Sequence, residues 1–188
     1  IRSALSTAAS SIIMVDASAG VQVGTEKAWE ECSKHKNPKF IVLTKIDKEN
    51  VDVDKVVAQL REKFGNSVVT DDDKDALNEA VAGTDEALME KFFNEEPFTD
   101  EEFYNGLMTG IATGDVVPII KMSSKTGEGV DEVLRSISKY VPTPNMHPAY
   151  PAKNIKGEDV EITTDPSEKP VLWVFKTIAD PFLGRISY

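Results

Sequence analysis

The residues whose types and spacing could do chemistry are Thr44, Lys45 and Asp47, which directly follow a short apolar run at 40–43. The run predicts a buried strand, and open α/β sheets bind their ligands at the carboxyl ends of such strands. An Asp carboxylate placed there can accept two parallel hydrogen bonds from the N1–H and the exocyclic amine of guanine. Adenine lacks this pair of donors and would leave the charge unpaired. The pattern therefore predicts a guanine-recognition loop.

The other two residues of this loop have predicted supporting roles. The aliphatic stem of Lys45 can lie along one face of the base while its ammonium stays in water. The hydroxyl of Thr44 can join neighbouring loops. Because a four-residue pattern with one free position also arises by chance, a second and independent element is needed to support the interpretation.

The turn at 123–125 supplies that second element. It follows another apolar run, 116–120, and precedes a helical pattern at 129–140. Ser123, Ser124 and Lys125 resemble the Ser-Ala-Lys-like turn of GTP-binding proteins. This resemblance implies that the backbone N–H of Ser124 donates to the guanine O6 and that the stem of Lys125 packs on the base. The alternative interpretation is that this stretch is ordinary turn chemistry before a helix.

Several segments together resemble elongation factor G, a family of translational GTPases. The resemblance implies a protein that binds GTP and GDP, interacts with the ribosome in the cytoplasm, and drives tRNA–mRNA translocation. Two departures stand out, because the family usually has Asn at the position of Thr44 and Gly-Ser-Ala at the position of Met122, Ser123 and Ser124. The segments that carry the likeness are 1–5, 15–21, 44–47, 85–93 and 180–185.

Strands that alternate with helices predict an α/β fold with a parallel sheet and flanking helices. The resemblance to elongation factor G implies that this sheet is P-loop-NTPase-like, that a helical subdomain is inserted, and that the start of a β-barrel follows. The expected domains are 1–141 for the later part of a GTP-binding domain with an insert at 66–114, a Pro-rich linker at 142–157, and barrel strands at 158–188. Predicted strands are 12–15, 40–43, 116–120, 160–163 and 171–177. Predicted helices are 2–9, 22–35, 53–64, 73–94, 101–113 and 129–140.

Two motifs of GTP hydrolysis are absent from this sequence. It contains no G-x-x-x-x-G-K-[ST] loop to hold the β- and γ-phosphates, and no D-x-x-G follows a predicted strand. His35 and His147 do not resemble a water-positioning histidine, and Asp16, at the end of a predicted strand, is assigned a structural role. We therefore expect a piece of a larger protein with no catalytic residue and no metal ligand, in which Mg²⁺ binds only with a phosphate-binding segment.

The net charge of −11 comes from one acidic stretch, 70–102, which holds thirteen acidic residues against Lys74 and Lys91. Such a surface repels RNA phosphate and suits a basic protein partner. In elongation factor G this insert resembles the part that faces the ribosomal stalk protein, so we expect the stalk protein as a partner. The alternative is a solvated helix face without a partner.

The composition of the whole sequence is that of an ordinary globular domain, with 40% hydrophobic and 28% charged residues. No run approaches twenty apolar residues, so no membrane partner is expected. The single cysteine, Cys32, suits a reducing compartment and a packing role. Two rival functions stay open at this point: a ribosome-protection or release-factor-type GTPase, and a non-catalytic nucleotide-binding interaction module.

Overall fold

The computed structural model describes residues 2–70, 72–141 and 149–188. Its centre is a parallel four-stranded sheet in the order β1-β2-β4-β3. The strands are β1 (Ser11–Asp16), β2 (Lys39–Thr44), β3 (Val68–Thr70) and β4 (Val117–Lys121). This arrangement, with helices between the strands, confirms the predicted α/β fold class.

Seven helices accompany the sheet among the described residues. The prediction for 53–64 agrees with the observed helix at both ends, because Asp52 accepts a hydrogen bond from the backbone N–H of Lys55 and Gly65 ends the helix. The helices are α1 (Arg2–Leu5), α2 (Val23–Lys34), α3 (Val53–Phe64), α4 (Lys74–Ala82), α5 (Glu86–Phe93), α6 (Asp100–Thr113) and α7 (Val130–Tyr140).

Two apolar cores lie on opposite faces of the sheet. Successive side chains of a strand point to opposite faces, and Phe40 packs in one core while Ile41 packs in the other. In the same way Ile119 and Ile120 of β4 divide between the two cores. The cores are separate because the sheet lies between them: α2 and α3 supply residues to one core, whereas α4, α5 and α6 supply residues to the other.

Strand β3 lies in a stretch for which the sequence predicted no strand, between the helices predicted at 53–64 and 73–94. That expectation is wrong, because Val68–Thr70 pairs in parallel with β4 at the edge of the sheet. The strand is only three residues long, and all three are buried. Such a short apolar run carries too little periodicity to be recognised from sequence.

The single helix predicted at 73–94 is also wrong, because the chain forms α4 and α5 with a break between them. The break has a local cause. The Thr84 hydroxyl donates to the carbonyl of Val81 at 2.7 Å, and the Asp85 side chain accepts from the backbone N–H groups of Ala87 and Leu88. Asp85 is therefore the N-cap of a new helix rather than an interior residue.

Two other predicted elements end elsewhere than expected. Helix α1 stops at Leu5 instead of residue 9, and the hydroxyls of Ser6 and Thr7 bond to the carbonyls of Ser3 and Ala4. Such local bonds compete with a continuing helix. The strand predicted at 171–177 is wrong for residues 171–176, since the observed strand begins only at Thr177.

The last part of the described chain forms two antiparallel hairpins, from the strands β5 (Tyr150–Lys153), β6 (Asp159–Ile162), β7 (Thr177–Asp180) and β8 (Gly184–Ser187). The first hairpin begins inside the segment predicted as a linker, and residues 142–148, with His147 and three of its prolines, lie outside the described residues. Within the ranges that the structure describes, no helix has the length and apolar character needed to span a membrane.

Candidate guanine-recognition site

The candidate site lies at the carboxyl edge of the parallel sheet. Strand β2 stands between β1 and β4, so the loops that follow these three strands are neighbours at one edge. The register places Ile41 beside Ile119 and Asp16 beside Thr44. The two segments predicted to bind guanine, 44–47 and 123–125, therefore follow adjacent strands, where ligands of open α/β sheets bind.

The Asp47 side chain meets the second segment directly. The hydroxyl of Ser123 donates to Asp47 Oδ1 at 2.5 Å, across 76 positions of sequence. Ser123 is fully buried, whereas Asp47 keeps partial exposure. The bond from Ser123 is the main reason that the pKa of Asp47 lies below its usual range, with smaller contributions from the charges of Lys125 and Lys48. The bond from Ser123 thus favours the ionised carboxylate and orients it.

The turn that carries Ser123 is closed by its own backbone. The N–H of Ser123 donates to the carbonyl of Glu128 at 2.8 Å, and the N–H of Gly127 donates back to the carbonyl of Ser123 at 2.9 Å. Gly129 has φ +73°, and a Cβ atom there would lie 2.0 Å from the carbonyl oxygen of Lys121. Only glycine fits this position. The result is a turn closed by its own hydrogen bonds, on which Ser124 and Lys125 are exposed.

Lys45 and Thr44 reach the opposite way, towards β1. The ammonium of Lys45 forms an ion pair with Asp16 Oδ2, and the Thr44 hydroxyl donates to the carbonyl of Val15 at 3.2 Å. Thr44 therefore joins the ends of β1 and β2, and this bond is directed away from the 123–125 turn. The structure brings Asp47 together with Ser123, and Lys45 with Asp16.

Comparison with known proteins identifies the family. The Elongation factor Tu GTP binding domain matches residues 1–143, which is most of the chain. The chain belongs to this family.

Two known proteins are similar to the chain, one in sequence and one in fold. The chain is 26% identical over 216 aligned positions to an elongation factor G-like protein of Thermotoga maritima, covering 94% of this chain and 32% of that protein. A crystal structure of a protein from Thermus thermophilus has the same fold, with a TM-score of 0.73 and 24% identity over 99% of this chain and 32% of that one. The chain thus spans about a third of the length of these relatives.

The likeness to elongation factor G predicted from the sequence is confirmed by these matches. Next to the candidate site lie residues that sequence reasoning did not assign to it. Asp16 pairs with Lys45, Ser18 bonds to Asp16, and the Lys48 ammonium donates to the Ser18 hydroxyl at 2.9 Å. The available signal was that Asp16, like Asp47, follows a predicted strand.

Proposed function

We propose that the chain provides the base-recognising part of the guanine-nucleotide site of a translational GTPase of the elongation factor G type. The intact protein would use GTP in tRNA–mRNA translocation on the ribosome, in the cytoplasm. The observation that carries the proposal is the 2.5 Å bond from Ser123 to Asp47, which joins the two predicted guanine-binding segments at one edge of the sheet. Family membership supports the same conclusion.

The carboxylate of Asp47 suits guanine by its remaining capacity for hydrogen bonds. An ionised carboxylate offers about four lone-pair sites, and Ser123 takes one of them. Two further bonds from the N1–H and the exocyclic amine of guanine are therefore possible. An Asp at its ordinary pKa of 3.8 is already ionised at neutral pH, and the lowered pKa of Asp47 keeps it so, as recognition of these two donors requires.

The other predicted residues surround this carboxylate in the proposal. The stems of Lys45 and Lys125 would flank the base, the backbone N–H of Ser124 would donate to its O6, and Thr44 would hold β2 against β1. GTP and GDP share the same base, so these residues do not distinguish them. The distinction depends on phosphate contacts and Mg²⁺, which belong with the phosphate-binding loop that this sequence does not contain. The 188-residue chain alone is therefore proposed to hydrolyse no GTP.

Base specificity in the full-length protein tests the proposal. Wild-type protein should bind GDP in strong preference to ADP and XDP. Asp47→Asn should weaken GDP binding about 10- to 100-fold. It should strengthen XDP binding, because an amide can donate to the 2-oxo group of xanthine. Asp54→Asn, the same change at an exposed residue of α3, is the matched control and should bind like wild type. Retained guanine preference in Asp47→Asn would overturn the assignment.

The acidic stretch 70–102 is proposed to face the ribosomal stalk protein. Its two lysines do not offset the charge, and Lys91 already pairs with Glu102 at 2.5 Å. Opposite charge on a partner would steer association. The test neutralises four exposed acids of the stretch in the full-length protein and measures stalk-dependent GTP turnover, which should fall; unchanged turnover would contradict the contact. The test set is Asp75, Glu79, Glu90 and Glu101, and the control set is Glu49, Asp54, Asp131 and Glu161.

A further inference from the structure

The loop after β2 is held from two sides by charged side chains. Since β2 lies between β1 and β4, its loop has a neighbour on each side. Asp47 is bonded to Ser123 on the β4 side, and Lys45 is paired with Asp16 on the β1 side. The two residues of this loop that are proposed to contact the base therefore each bond to a residue at or just beyond the end of a neighbouring strand.

Asp16 is itself fixed by its own loop. Its Oδ1 atom accepts hydrogen bonds from the backbone N–H of Ser18 at 2.9 Å and from the Ser18 hydroxyl at 2.6 Å. The Oδ2 atom is left for the ammonium of Lys45. Lys48, three residues further along the β2 loop, donates to the same Ser18 hydroxyl at 2.9 Å. A pre-oriented carboxylate thus faces a long side chain that could otherwise take many positions.

We propose that Asp16 is a positioning residue of the nucleotide site: by holding the Lys45 ammonium at the β1 loop, it keeps the aliphatic stem of Lys45 in place for the base. This inference rests on the proposed function above. Lys45 is half-exposed and its backbone has φ +61°, a conformation uncommon for a residue other than glycine. The ion pair with Asp16 is the contact that ties the ammonium to the end of β1.

Asp16 has no predicted contact with the base itself, which separates its effect from that of Asp47. Loss of the Asp16 charge should weaken the binding of every purine nucleotide that stacks on Lys45, and by a similar factor for each. Base preference should stay as in wild type. Because both partners are partly exposed, the pair should be sensitive to salt.

The experiment uses the full-length protein and a double-mutant cycle. Asp16→Asn keeps an amide oxygen that can accept from Ser18 and removes only the charge. We expect it to raise the Kd and the dissociation rate of GDP about three- to fivefold, with an unchanged ratio of GDP to XDP affinity. In a Lys45→Gln background the same change should have no further effect. High salt should reduce the difference in GDP Kd between wild type and Asp16→Asn. Thermal unfolding checks that each variant is folded. If Asp16→Asn is not folded, Asp16→Ser is used in its place.

The outcomes separate the two claims. If wild-type protein lacks guanine preference, the proposed function is wrong. If wild type prefers guanine but Asp16→Asn binds GDP equally well, the positioning role is overturned. A weakening that persists in the Lys45→Gln background would also overturn it, since Asp16 would then act through the Ser18 turn alone.

Discussion

The hydroxyl of Ser123 lies 2.5 Å from Asp47 Oδ1 and donates to it, although 76 positions separate the two residues. Ser123 is completely buried, and its oxygen also accepts the backbone N–H of Thr126 at 3.2 Å. One side chain thus links the closure of the downstream turn to the orientation of the carboxylate. This link and three other features of the structure lead to measurable consequences.

Ser123→Ala should raise the pKa of Asp47 and weaken guanine binding. The bond from Ser123 is the largest cause of the lowered pKa, so its loss moves the pKa back up towards the ordinary value of 3.8. We expect a drop in GDP affinity of about tenfold in the full-length protein, the scale of a lost hydrogen bond to a charged group. Carboxyl NMR titration and nucleotide binding measure the two effects.

The control for that change is Ser124→Ala. Ser124 is exposed, and only its backbone N–H is assigned to the base, so the variant should keep both the Asp47 pKa and the GDP affinity. An equal loss in both variants would show that the turn, not the Ser123 hydroxyl, is responsible.

Gly129→Ala should destabilise the domain by about 3 kcal/mol, the sum of a left-handed backbone and a severe overlap. The new Cβ would meet the Lys121 carbonyl oxygen at 2.0 Å, and relief requires the strand end or the turn to shift. Gly127→Ala is the matched control, because φ is +83° there but no atom lies within 4 Å. Urea unfolding should show a clearly smaller loss for Gly127→Ala; equal losses would refute the steric explanation.

Gly110→Ala should loosen the contact between α6 and the sheet. A Cβ at this position would lie 2.4 Å from Val116 Cγ2 and 2.9 Å from Thr84 Cγ2, beside the core that β4 shares with α4, α5 and α6. Overpacking of this kind costs about 1–3 kcal/mol. Gly24→Ala in α2 has open space and should instead stabilise by up to about 1 kcal/mol. Chemical denaturation of both variants tests the opposite signs.

The stability of the insert should depend on pH through Glu102. The Lys91 ammonium, with the capping bonds of Thr99, lowers the pKa of Glu102 from 4.5 to about 2. A carboxyl with a lowered pKa in the folded state contributes stability above its unfolded value, and loses that contribution as the pH falls from 4.5 to about 2. The Glu102→Gln variant should therefore lose less stability than wild type as the pH falls from 4.5 to about 2.

Urea midpoints at a series of pH values measure this effect. The exposed neighbour Glu101 provides the comparison, and Glu101→Gln should leave the pH dependence close to that of wild type. A wild-type slope in the Glu102→Gln variant would show that Lys91 and Thr99 do not stabilise the ionised form.

The parts of the fold that were predictable carry strong local signals. Helix α3 has both an Asp cap and a terminating glycine, and α6 has the capping box of Thr99 and Glu102. The break between α4 and α5 was also encoded locally, by the segment 83–85, but the apolar pattern continues across it and concealed it. Strand β3 could not be predicted, because three residues become a strand only when β4 supplies their hydrogen bonds.

The sequence by itself determined the chemistry of the site: an Asp after one buried strand, a Ser-Ser-Lys turn after another, and a family likeness that the comparisons confirm. Only the tertiary structure decided which side chains meet. The order β1-β2-β4-β3 places β2 between two partners, so that Asp47 bonds to Ser123 on one side and Lys45 to Asp16 on the other. The physical reason is that strand order follows from the packing of both faces of the sheet, which no local pattern of residues specifies.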